Sequence, residues 1–255
     1  MKKLLKDFLA ASLILCIILS VSGCAAPEKK TASFEELSRN GAVYSGLDDM
    51  AYFGTTIDAT LERQKGWTQT VASGRVNSVR YYYSYDSGLN FVYGFTVCEI
   101  EITSVPDIVN TAGLSEGDTV RTFSNYFPAF SKDGQIDENK VYEYYGKQIN
   151  VDINCRDDFN GLDSFEFEFI PPSGEDYIFN LWEQTLPFEV GKEYAFLLIL
   201  TYEDREGFGA LYGTEIVYPL DGSETLEVQC EKYGVHFDPE YLMIANDLKK
   251  LFTDA

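Results

Sequence analysis

The sequence predicts a mainly β fold that ends in one amphipathic helix. Three observations carry this. Residues 68–85 and 91–105 are long runs of strand-forming residues separated by Asp86-Ser87-Gly88, a hairpin turn signal. Phe165-Glu166-Phe167-Glu168-Phe169 alternates strictly, so one face is buried and the other wet. After Asp238-Pro239 the apolar period changes from two to that of a helix.

In chain order, Ser33-Phe34-Glu35-Glu36 has the form of a capping box and predicts a short helix ending before Gly41. Residues 48–53 are a second short helix candidate. Ile57, Ala59 and Leu61 alternate and predict a strand over 56–61. The run 68–85 is interrupted by Gly74, and Gly94 in the next run marks a bulge or a bend. Gly117-Asp118 is a turn before a strand over 119–125, and further strands are expected over 140–155, 165–169, 212–218 and 226–230. Residues 194–202 (YAFLLILTY) are apolar on both faces, as in a central strand buried from both sides. In the last segment Tyr241, Ala245, Leu248 and Phe252 fall on one helical face, with Ile244 and Leu251 beside them. Lys249 and Lys250 complement the helix dipole in its final turn.

The N-terminus has a different character. Lys2, Lys3 and Lys6 precede an apolar run over 8–19, which is short of the about 20 residues that cross a bilayer. Val21-Ser22-Gly23-Cys24 then resembles the lipobox of bacterial lipoproteins. That resemblance implies cleavage before Cys24, diacylglyceryl transfer to its thiol, further acylation with palmitate-type chains, and a membrane anchor on the extracytoplasmic face. The domain reading is a signal peptide over 1–23, a tether and short helix over 24–45, and a β-rich domain over 46–255. Loss of residues 1–23 removes three lysines and one aspartate from 20 basic and 41 acidic residues, leaving 17 and 40. A net charge near −23 repels nucleic acid, so nucleic acid is excluded as a partner.

The order of signals in the domain also resembles a kind of module common among small secreted and lipid-anchored bacterial proteins. The matching pieces are Val71-Ala72-Ser73-Gly74-Arg75-Val76, the run 91–105, Gly117-Asp118-Thr119-Val120, and Pro187-Phe188-Glu189-Val190-Gly191-Lys192-Glu193-Tyr194. The resemblance covers 70–126 and 186–219 and implies an OB-like antiparallel barrel, closed or partly open, with a terminal helix. It treats about 127–185 as an insertion and assigns no functional residue.

Candidate sites are few. Asp157, Asp158, Asn160 and Asp163 surround Gly161, and such oxygen ligands can hold Ca2+. An EF-hand is excluded, because that alignment puts Arg156 and Phe167 at its first and last ligand positions. The choice is between a looser calcium loop and a plain polar one, and no other cofactor is called for. Tyr81, Tyr83 and Tyr85 share one face and Tyr142, Tyr144 and Tyr145 cluster elsewhere; exposed rings of this kind stack on sugars, while buried ones serve as ordinary strand residues. The lone histidine, His236, has apolar neighbours and no triad context. Cys98, Cys155 and Cys230 sit on apolar faces, and export permits one disulfide among them in three possible pairings. The functional expectation is a non-catalytic binding module for an envelope protein or glycan. The alternatives are a carboxylate-based hydrolase of envelope polymers and, by fold analogy, a protease-inhibitor-like role. Labelled palmitate fed to producing cells is expected on the wild type and absent from Cys24→Ser; equal labelling of both would refute lipidation at this residue.

Overall fold

The two long β-prone runs form one hairpin in the computed structural model, β2 (Gln69–Asp86) and β3 (Phe91–Ser104), paired from Asp86↔Phe91 to Ser73↔Ser104. The described residues are 30–44, 56–86, 91–149, 164–181, 186–205, 207–222, 225–234 and 237–253. The expected helix over 48–53, Cys24, Cys155, His236 and the Asp157 loop lie outside them. Among the described residues no helix is long and apolar enough to cross a membrane.

A ring of pairings is built on this hairpin. Strand β3 pairs antiparallel with β4 (Thr119–Ser124), and β4 runs parallel to β10 (Gly209–Pro219) through Thr122 and Phe123. Strand β10 pairs antiparallel with β9 (Glu193–Arg205), and β9 returns to residues 69–75 of β2. Period-two alternation separates the faces. Cys98, Ile100 and Ile102 of β3 join the main core, whereas Phe95 and Val97 belong to a second apolar cluster on the opposite face. Strand β9 is buried from Tyr194 to Ile199 as its two-sided apolar run predicts.

Beyond residue 75, the edge of β2 that leaves β9 is taken up by β7 (Phe165–Phe169), which pairs with residues 81–85. The segment read as an insertion also builds a second sheet, in the order β1 (Ala42–Tyr44), β8 (Tyr177–Leu181), β5 (Tyr126–Lys132) and β6 (Gln135–Ile136). Its β5–β6 turn is Asp133-Gly134, both at positive φ (55° and 77°), the conformation that an Asp-Gly hairpin turn requires. Tyr126 ties the two sheets together. Its hydroxyl accepts the Phe188 N–H at 2.9 Å and lies 3.9 Å from the Cys98 sulfur, and its carbonyl accepts from the Thr96 hydroxyl.

Three segments expected as strands are helices. Thr56 caps α2 (Ile57–Arg63), its hydroxyl accepting the Ala59 N–H at 3.2 Å. Asp137 caps α3 (Glu138–Ile149), its carboxylate accepting the Lys140 N–H at 3.1 Å, and Val141 and Tyr145 turn inward four residues apart. Thr225 caps α4 (Leu226–Tyr233), which ends at Gly234 in the left-handed region, φ 65°. At 56–61 and 226–230, alternation over five or six residues fits a helix as well as a strand, and in all three segments the capping side chains mark the helix. Val228, inward in the strand reading, is 47% exposed.

The two terminal helices follow their sequence signals. Ser33 and Glu36 form a complete capping box on α1 (Phe34–Leu37). Glu36 also accepts from the Ser173 hydroxyl (2.9 Å) and the Gly174 N–H (3.1 Å), and the donated backbone bonds lower its carboxyl pKa. The C-terminal helix α5 (Pro239–Thr253) buries Tyr241, Ile244, Ala245 and Leu248, and packs on β9 and β10. The Tyr241 hydroxyl accepts the Val217 N–H at 3.1 Å.

Gly94 explains how the second sheet approaches the hairpin. Of the bulge and the bend expected at Gly94, the bulge is not seen: the β2–β3 ladder shows no register shift there, and its shifts fall at 73/74 and 76/78. A Cβ at Gly94 would instead lie 2.2 Å from the Phe127 ring. Gly94→Ala is expected to cost about 1–3 kcal/mol by overpacking, read as a lower urea midpoint. Combined with Phe127→Leu it should cost less than the two separate losses added together, because the clash is shared.

Candidate functional site

The outward face of β3 and its neighbours carries the second apolar cluster. Tyr82 stacks on Phe95 at 5.3 Å with the rings 15° apart, and meets Phe208 edge-on at 4.9 Å. Phe95 contacts Phe123 at 5.1 Å, and Phe123 contacts Tyr202 at 5.8 Å. Alternation places Tyr93, Phe95 and Val97 here, opposite the core-facing Thr96 and Cys98, and places Phe123 here from β4.

Arg205, at the end of β9, lies among these rings. Its guanidinium carbon is 4.6 Å from the Phe95 centroid, 5.3 Å from those of Phe123 and Tyr202, and 5.7 Å from that of Phe208. Glu166 of β7 accepts from one terminal nitrogen at 2.8 Å, and the Arg205 side chain is only 19% exposed. A guanidinium has five N–H donors. Among the described residues Glu166 is its one hydrogen-bonding partner, so donors remain for a ligand. Arg121 fixes the nearby turn, donating to the Phe208 carbonyl at 2.7 Å and to Glu99 at 3.2 Å.

Beside Arg205 an open cleft of about 370 Å³ is lined by Tyr93, Phe123, Asn125, Tyr202, Thr201 and Glu215, among others. Tyr202 is 40% exposed, a ring free on one side to receive a flat ligand surface. Gly213 keeps the cleft wall thin, because a Cβ there would come within 2.8 Å of the Thr201 hydroxyl. The cleft thus combines aromatic faces, a guanidinium, an amide, hydroxyls and a carboxylate. Such a set orients a ligand through stacking and hydrogen bonds.

The sequence-predicted residues are placed elsewhere. Tyr81, Tyr83 and Tyr85 do share a face, and it is the buried one, covered by the insertion, so of their two readings burial fits the ordinary strand role and not the sugar-stacking platform. Tyr83 lies 4.9 Å from Phe169 and 5.6 Å from both Phe127 and Tyr145. Tyr142 and Tyr145 are likewise buried on α3. Asp157, Asp158, Asn160 and Asp163 lie outside the described residues, among which no group of three or more metal-ligating side chains gathers. The sequence did carry a signal for the cleft. Arg205 is the lone cation among Glu203, Asp204 and Glu206, at the end of the most apolar strand.

No family model matches the chain, and neither a curated protein nor a solved structure matches it.

Cys98 and Cys230 are free thiols. Burial pushes the Cys98 thiol from an ordinary value of 9.0 up to about 12, so the nucleophilic thiolate is suppressed at neutral pH. The folded state therefore holds its proton more tightly than the unfolded chain. The resulting stability is complete below pH 9 and is lost as pH rises from 9 toward 12, by up to ~1.4 kcal/mol per pH unit. Urea midpoints measured between pH 8 and 11 should fall, and should fall less steeply in Cys98→Ala; parallel profiles would show that the thiol contributes nothing.

Proposed function

We propose that the chain is a lipid-anchored protein of the extracytoplasmic membrane face, a non-catalytic binding module whose ring of strands is an OB-type barrel. The address is supported by the lipobox-like Val21-Ser22-Gly23-Cys24 and the signal before it. The barrel reading is supported by the order of the ring. Numbered along the chain as first to fifth, β2, β3, β4, β9 and β10 neighbour one another as 1-2-3-5-4, with the fourth closing on the first. A five-stranded Greek-key barrel of this kind binds its ligands on strands two and three and on the loop between strands four and five. In this chain strands two and three are β3 and β4, which supply Tyr93 and Phe123 to the lining of the Arg205 cleft.

The observation that carries the binding reading is Arg205 itself. A cation placed over four rings and left with unused donors beside an open cleft is organised for recognition. An envelope protein or a glycan is the ligand class this lining suits, since both offer flat surfaces and polar groups. The acidic surface disfavours nucleic acid.

Proximity crosslinking of the anchored protein in its own membrane, followed by mass spectrometry, tests this. The wild type should recover a specific envelope partner. Arg205→Ala removes the donors offered to the ligand, charged hydrogen bonds of about 2 kcal/mol, and should lower recovery by a factor of about 30. Identical partner profiles for the two proteins would overturn the assignment of the cleft.

A further inference from the structure

A second cleft, of about 520 Å³, opens where α2 meets the start of β2 and the loop after β3. Trp67 stands at its mouth, 44% exposed, and Ile108 is 42% exposed in the same lining. The main chain around the indole is pinned. The Trp67 N–H donates to the Gln64 carbonyl at 3.1 Å, and Thr111 exchanges bonds with Gln69 through its N–H (2.9 Å) and its hydroxyl (2.8 and 3.0 Å). Asn110 closes the opposing loop on Leu114 at 2.7 and 2.9 Å. A half-exposed tryptophan on a fixed backbone is a platform formed before any ligand arrives.

Polar groups in and behind the lining have unmet bonding capacity. Gln69 lines the cleft and is 4% exposed; its Nε2 reaches the Leu61 carbonyl at 3.4 Å, while its Oε1 has no partner among the described residues. Gln64, five residues earlier and 1% exposed, has both amide heteroatoms unpartnered. Native interiors rarely leave such atoms unmet. Asp58 and Glu62 add carboxylate acceptors at the rim, the latter paired with Lys65 at 3.1 Å.

We propose that this cleft is a second binding site and that it takes an N-acetylated hexosamine oligosaccharide. The C–H face of the sugar ring packs on Trp67, its hydroxyls donate to the rim carboxylates, and its acetamido N–H donates to Gln69 Oε1, which has no competing internal bond. The acetyl methyl has Ile108 and Val109 to cover it. The site is separate from the Arg205 cleft: the two share no lining residue.

Calorimetry on the mature-length chain carrying Cys24→Ser, with chitotetraose and cellotetraose as paired probes, tests the proposal. Both sugars stack, but only the first carries acetamido groups. Chitotetraose should bind about tenfold more tightly, the worth of one hydrogen bond. Gln69→Leu should erase that difference, and Trp67→Ala should abolish binding of both sugars. Trp67 is one of two tryptophans in the sequence, and in Trp182→Phe, which removes the other, its emission should shift to the blue with chitotetraose. Equal affinity for the two sugars, or no binding of either, would overturn the proposal. So would a Trp67 shift with phosphatidylcholine vesicles and none with saccharide, which would assign the indole to a membrane surface.

Discussion

Strand β2 satisfies the hydrogen-bonding demand of its own backbone with three different partners, and the rest of the structure depends on how it does so. One edge is occupied by β3 over residues 73–86. The other is occupied first by β9 at 69–75 and then by β7 at 81–85. A strand of 18 residues is three times the usual length, and an uncovered edge or apolar face along it would invite association with other chains. The ring uses one end of the strand. The other end projects beyond the ring, so the insertion is needed: it pairs the free edge through β7 and covers the face of Tyr81, Tyr83 and Tyr85 with β5 and α3. The insertion and the ring therefore share one apolar core.

The aromatic character of the chain follows from the same demand. Large rings fill the space between the two sheets, and Gly94 leaves room for Phe127. Ring pairs contribute about 0.5–1.5 kcal/mol each beyond the area they bury. By contrast, the ion pairs lie mainly on the surface: Arg39 with Asp176 and Lys65 with Glu62 are more than half exposed, and such pairs contribute ~0–1 kcal/mol. Arg205 with Glu166 is the more enclosed exception, and it sits in the cleft assigned to binding.

The long elements were legible in the sequence because periodicity accumulates over many residues. The hairpin, β4, β7, β9, β10 and the final helix all follow their patterns. The short helices were misread for want of length: Ile57, Ala59 and Leu61 alternate like a strand, yet Ile57 and Leu61 are also one helical turn apart. Thr56, Asp137 and Thr225 held the deciding information as caps. Strand β5 was missed because Pro128 interrupts it and its residues 126–130 are buried on both faces, leaving no alternation to detect. The Asp133-Gly134 turn was its readable trace. The cleft was harder to foresee. Phe95, Phe123 and the Tyr202–Arg205 pair are far apart in the chain, and nothing in their local spacing announces that three strands bring them together.

The ring has a temporal consequence. Its hairpin joins neighbours in sequence and can form as soon as residue 104 is free. Its closing contacts cannot: β9 must return to β2 across more than a hundred residues, and β4 waits for β10 to arrive for a parallel seam of two register pairs. Pairings of such long range slow folding. A chain threaded through a membrane from its N-terminus would therefore carry a half-built sheet, with the edges of β2 and β4 unpaired, until residue 219 had emerged. The acidic surface then has a second use. Mutual repulsion between nascent chains protects those edges from one another during the wait.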